Sequence, residues 1–192
     1  MKLEDDWESL KARVSEKAFL SNKGLANEVP YWIFCYEPQY ELYVRDNMPL
    51  LLKFLEQRSI KALSFNLFDA MVDTLQTKGY LEKAIDLEKT YSSSKLLQAL
   101  STSISLEGIC DQFAQLLDSN HAQIGFVTGV GSAWPVIRTH LFLNKLQQIK
   151  SDVPIVVMYP GKYEQNKLRL FNKFSSHYYR AFQLVGDSNE QY

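Results

Sequence analysis

A chain of 192 residues, 46% apolar and 22% charged, suits one folded domain with a substantial core rather than a disordered segment. Its net charge of −1, from 21 Lys+Arg and 22 Asp+Glu, lacks the footprint of a protein that holds nucleic acid by its phosphates. Cys35 and Cys110 stand apart in apolar settings, no signal peptide is recognisable, and no apolar run approaches the ~18 residues of a membrane span, so a cytoplasmic protein with reduced thiols and no membrane contact is expected.

Leu3, Trp7, Leu10, Val14 and Ala18 recur at helical spacing and predict an amphipathic helix that frays through Ser21 toward Gly24. The run Tyr31 to Tyr36 reads as a strand apolar on both faces, halted at Glu37-Pro38. A helix follows with Met48, Leu51, Leu52 and Leu55 on one face, then a second strand from Ala62 to Leu67. Asp69 is the expected cap of the next helix and Gly79 its end. Between about 80 and 120 lie two or three helical patterns, the clearest carrying Ile109, Phe113, Leu116 and Leu117.

Ile124 to Thr128, Gly129-Val-Gly131, a helical stretch with Trp134, Pro135, Arg138 and His140, and the strand Pro154 to Tyr159 ending at Pro160-Gly161 predict a βαβ crossover. Tyr178 to Leu184 is the expected last strand, and 186–192 a flexible tail. The sum is a single α/β domain over 1–192, with a mostly parallel sheet of about five strands, helices on both faces and a helical insertion at about 80–120.

Functional groups in such sheets gather at the carboxyl ends of the strands, where both glycine turns are expected. Gly129-Val-Gly131 has the context of a phosphate-binding turn, but GxGxxG needs a glycine where Trp134 stands, and no Walker A loop occurs. His121, His140 and His177 are scattered, and no nucleophile elbow is present, so no metal, cofactor or catalytic residue is expected. On one helix Arg138 and His140 would point about 200° apart, whereas Asn144 would share a stripe with Arg138. Asn27, Glu28, Asn66 and Asp69 are the other polar groups near strand ends, where such residues are commonly caps. Lys162, Lys167, Arg169, Lys173 and Arg180 make a modest basic surface. The abundant aromatics, eleven Tyr, eleven Phe and three Trp, serve either a core or a partner-binding face.

The stretch Leu20 to Pro30 with its aromatic strand, Phe126 to His140, Asn144 to Gln147, Val157 to Tyr163, Leu168 to Phe171 and Tyr178 to Phe182 together resemble the BrxB-like proteins of bacteriophage exclusion (BREX) defence systems. The chain departs from that pattern at Asn172, where the family suggests glycine, and at Ser175-Ser176, where it suggests an acidic residue. The resemblance implies a degenerate P-loop-type layout without the phosphate loop. It also implies a non-catalytic accessory role, with contacts to other BREX proteins: the PglZ alkaline-phosphatase-like protein first, and DNA only through the complex. Gly129, Gly131, Trp134, Arg138, Tyr159 and Tyr163 are the candidate partner-binding residues. Two rival readings remain: a nucleotide sensor or cryptic enzyme built on the 129–140 turn, and a DNA-contacting subunit using the basic residues from Lys162 to Arg180.

Overall fold

A computed structural model describes residues 2–21, 30–150, 152–177 and 181–185. The expectations at Gly24, Asn27, Glu28, Tyr178 to Arg180 and 186–192 lie outside them.

The central sheet contains β1 (Tyr31–Tyr36), β2 (Ala62–Asn66), β3 (Ile124–Thr128), the first half of β4 (Ile155–Glu164) and the short β7 (Phe182–Gln183), in the order β2-β3-β4-β1-β7. Every pairing along that path is parallel. Side chains alternate across the pleat, and both sides are apolar. Trp32, Phe34, Phe126, Val156 and Met158 serve one core, while Tyr31, Ile33, Val127, Ile155 and Val157 serve the other.

Helices α1 (Lys2–Val14), α2 (Lys17–Leu20) and α3 (Glu41–Glu56) cover the first face, with Trp7, Leu10, Phe19, Met48, Leu51 and Leu55 buried. The expected N-terminal helix therefore ends at Val14. The break at Ser15-Glu16 shifts the register, so that Phe19 is buried and Ala18 is exposed. On the second face lie α4 (Leu67–Thr77), α5 (Leu81–Thr90), α6 (Ser93–Ser103), α7 (Leu106–Ser119), the single turn α8 (Val130–Ala133) and α9 (Thr139–Ile149). The insertion is thus three helices, of which only α7 contributes fully to the core; α5 and α6 contain no buried residue.

Three boundaries differ from the sequence reading. The second strand stops at Asn66, because its side chain turns back to accept from the backbone N–H groups of Phe68 (2.9 Å) and Asp69 (3.3 Å). Asn66, not Asp69, is the N-cap, and Leu67 becomes a buried helical residue. The stretch 134–138 is not helical: α8 ends after one turn, the Trp134–Pro135 peptide is cis, and α9 begins only at Thr139.

Pro160-Gly161 does not end a strand. β4 pairs with β1 up to Tyr36↔Pro160, then continues as an antiparallel partner of β5 (Lys167–Leu170), with Gly161 opposite Leu170. Gly161 permits this close passage, since a Cβ there would run into the carbonyl oxygen of Arg169. Gln165-Asn166 turn the chain at φ 51° and 58°. β6 (Phe174–His177) extends the hairpin after a second turn at Phe171-Asn172, with φ 53° and 60°.

Candidate functional site

Beyond the carboxyl ends of β3 and β4, three pieces of chain converge: the 129–138 segment, the start of α9 and the β5–β6 hairpin. Two glycines allow the approach. Gly129 takes a left-handed φ of 68°, and the Asn66 side chain occupies the place its Cβ would need. A Cβ on Gly131 would meet the Phe171 ring at 2.9 Å and Pro160 at 3.3 Å. The space over both glycines is therefore filled by a helix cap and by the hairpin, which accounts for them without a phosphate.

The hairpin is held by further contacts. Asn172 Nδ2 donates to Glu37 Oε2 (2.9 Å), tying the hairpin turn to the end of β1. Trp134 stacks on Phe174 with ring centroids 4.1 Å apart. Tyr163 donates its hydroxyl to the carbonyl of Ala181 (3.0 Å), linking the hairpin to the segment that enters β7.

Between hairpin and helix a cleft of about 340 Å³ remains. The start of α9 supplies Arg138, Thr139 and His140; the hairpin supplies Lys173, Phe174, Ser175 and Ser176. Tyr159 and Leu170 line its inner side, and Trp134 its rim. No carboxylate is among the lining residues. Arg138 and Lys173 form no ion pair with any described residue, and the first turn of α9 has no acidic residue. Arg138 is the N-cap residue of α9 without capping it through its side chain.

Two side chains lining the cleft, Thr139 (8% exposed) and Tyr159 (2% exposed), are largely buried and make no side-chain hydrogen bond to a described residue. Their hydroxyl oxygens are not among the fully buried, unpartnered polar atoms and so stay open to solvent. Burial holds the Tyr159 phenol above its usual range, so it remains a donor at neutral pH. Burial, reinforced by the Arg138 charge, lowers His140 below the ordinary imidazole value. The two thiols lie outside the cleft, and burial pushes both up to about 12. Among the described residues no group of three His, Cys, Asp or Glu is placed to hold a metal.

Of the six candidate residues, Trp134, Arg138 and Tyr159 meet at the cleft. Gly129 and Gly131 lie behind it as packing positions, and Tyr163 is buried as a hairpin tie. Arg138 and His140 face the same cleft, contrary to the helical-wheel expectation, because Arg138 precedes the helix. Asn144 is exposed on α9 and does not line the cleft. As site residues, sequence reasoning missed Thr139, Phe174, Ser175 and Ser176, and it named Lys173 only as part of a basic surface; the pairs Gln165-Asn166 and Phe171-Asn172 were the available turn signals. Asn172 occupies a left-handed position, φ 60°, which asparagine tolerates better than most residues. The basic residues divide, with Lys162 and Arg169 paired on the exposed face of the hairpin and Lys173 on the cleft.

These features define a class: a parallel α/β sheet whose carboxyl ends carry an antiparallel hairpin and an aromatic, cationic cleft. The sequence model of the BrxB family, described as BREX protein BrxB, matches residues 63–184. A relative described as BREX protein BrxB from Bacillus cereus (strain H3081.97) is 36% identical over 177 residues, covering 90% of this chain and 92% of the relative. Another of the same description, from Escherichia coli O9:H4 (strain HS), is 34% identical over 180 residues, covering 93% and 90%. This chain belongs to the BrxB family, a component of BREX anti-phage systems. No solved structure matches it. Among the described residues no helix is long and apolar enough to cross a membrane.

Proposed function

We propose that this chain is a non-catalytic assembly subunit of a BREX system and docks another BREX component, the PglZ alkaline-phosphatase-like protein, on the carboxyl-end face of its sheet. The observation that carries this reading is the cluster of Trp134, Phe174 (44% exposed), Arg138 and Lys173 on one rigidly held surface. Trp, Phe and Arg anchors of this kind dominate interface energies when a partner desolvates them. The non-catalytic role is supported by the state of the nucleophiles. Both thiols lie outside the cleft, and burial raises them to about 12, which keeps them protonated at neutral pH.

The test is co-expression of the tagged chain with each BREX component separately: the PglZ-like protein, the methyltransferase and the large ATPase. The PglZ-like protein is expected to co-purify. The double variant Arg138→Ala, Phe174→Ala is expected to reduce its capture by about tenfold or more, as loss of two hot spots does. Failure of the native chain to capture any component would overturn the assembly reading.

A further inference from the structure

We infer that the cleft at the start of α9 binds the phosphate monoester of a small ligand that also carries a planar ring, a ligand of the mononucleotide class. The site is distinct from the Gly129-Val-Gly131 turn, whose approach is blocked by Asn66 and Phe171. Four observations converge on it.

The first is the helix terminus. α9 spans eleven residues, its first turn contains no acidic side chain, and its N-cap residue makes no side-chain cap. Its leading backbone N–H groups therefore favour an anion. The second is charge. Arg138 and Lys173 face the cleft from opposite walls, neither has a carboxylate partner among the described residues, and the cleft lining contains no carboxylate. Two cations on one cleft match a phosphate dianion better than a single carboxylate.

The third is the pair of side chains Thr139 and Tyr159, both more than nine-tenths buried and without a side-chain hydrogen bond to any described residue. Their hydroxyl oxygens are not among the fully buried, unpartnered polar atoms, so both are open at the cleft they line and available to the acceptor oxygens of a ligand. Together the guanidinium, ammonium, hydroxyl and backbone donors outnumber what a carboxylate's two oxygens accept, and suit a phosphate's three. The fourth is the wall. Phe174, braced by Trp134 at 4.1 Å, keeps 44% of its surface exposed, which leaves a stacking platform beside the donors. A volume of about 340 Å³ is room enough for one nucleotide.

The test is calorimetric titration of the full chain, in phosphate-free buffer at low salt, with AMP, adenosine and inorganic phosphate. AMP is expected to bind saturably at one site, phosphate to compete for it more weakly, and adenosine to bind at least ~10-fold more weakly than AMP. Arg138→Ala and Lys173→Ala should each weaken AMP by about tenfold, the range for one charge-assisted contact. Phe174→Ala should weaken AMP but leave phosphate unchanged. Arg138 is exposed and makes no side-chain cap, so its variant should fold, which thermal unfolding checks. Lys167→Ala, outside the cleft, should bind AMP as the native chain does.

A 5′-phosphorylated oligonucleotide and its unphosphorylated twin identify the source of the phosphate. Preference for the phosphorylated strand over AMP supports the site with a strand end as its ligand, and preference for AMP supports it with a free nucleotide. Absence of saturable binding by either AMP or phosphate would overturn the inference. So would tighter binding of a glutamate-rich peptide than of AMP, or an Arg138→Ala affinity equal to the native one. Binding is measured on the isolated chain, so these outcomes are independent of partner capture.

Discussion

The interior of the sheet and the cleft beyond its carboxyl ends are built on opposite principles. At Gly125, inside β3, an added Cβ would meet Ile155 and Phe113 at 2.9 Å and Leu117 at 3.0 Å, so even a methyl group has no room. Phe113 is fully buried between Phe65 and Phe142, and the surrounding side chains are apolar. In the cleft, by contrast, two hydroxyls and two cations have no hydrogen-bond or ion-pair partner among the described residues. The interior spends its residues on density, whereas the cleft keeps its donors open to solvent and to whatever binds there. The difference teaches where substitution should alter stability and where it should alter binding.

The largest effect is expected inside. Phe113→Ala should lower unfolding free energy by about 3–5 kcal/mol in a denaturant titration, since it leaves a cavity among close-packed rings. Next comes the junction between the two regions. Gly129→Ala should cost about 1–3 kcal/mol, because alanine resists a φ of 68° and its methyl collides with the Asn66 side chain. Asn66→Ala should cost about 1 kcal/mol as a lost N-cap. In a double-mutant cycle the Gly129→Ala cost should shrink once Asn66 is truncated; full additivity would refute the contact as the reason for glycine.

At the cleft the sign is expected to differ. Tyr159→Phe removes a hydroxyl that has no partner among the described residues, so stability should hold or rise slightly while AMP affinity falls. A marked loss of stability would break the contrast between the regions. Arg138→Ala should change stability by no more than about 0.5 kcal/mol, as an exposed side chain without a cap or ion pair.

The smallest effect is on pH dependence. The folded-state pKa of His140 is depressed, so the native protein binds its proton less readily than the unfolded chain. Its stabilising contribution should be full above the unfolded value of about 6.5 and decline as pH falls below it toward the folded pKa. His140→Gln should flatten the stability curve over that acidic window; an unchanged slope would show that His140 does not contribute.

Periodicity and alternation made the parallel sheet and the helical insertion legible, the latter as two or three patterns; Trp134 and Arg138 were read as helical, whereas α8 ends at Ala133 and α9 begins at Thr139. β1 is recognisable because a strand covered on both faces must be apolar throughout, and Tyr31 to Tyr36 is. The hairpin was not legible, because β5 and β6 are only four residues each and contain mixed polar side chains. Their turns use left-handed Gln165-Asn166 and Phe171-Asn172 rather than a glycine signal. Asp69 was read as the cap because it is a good capping type, but the strand end placed Asn66 closer to the free N–H groups.

By itself, then, the sequence determined the strands of the parallel sheet and the longer helices that cover it, because apolar spacing is a local property that solvent enforces. Only the tertiary structure decided that Arg138 leads a helix rather than sitting within one, and that Lys173 and Phe174 return from 35 residues later to face it. A cleft forms from groups distant in sequence, and their meeting is fixed by packing: Phe171 against Gly131, Asn172 on Glu37 and Trp134 on Phe174.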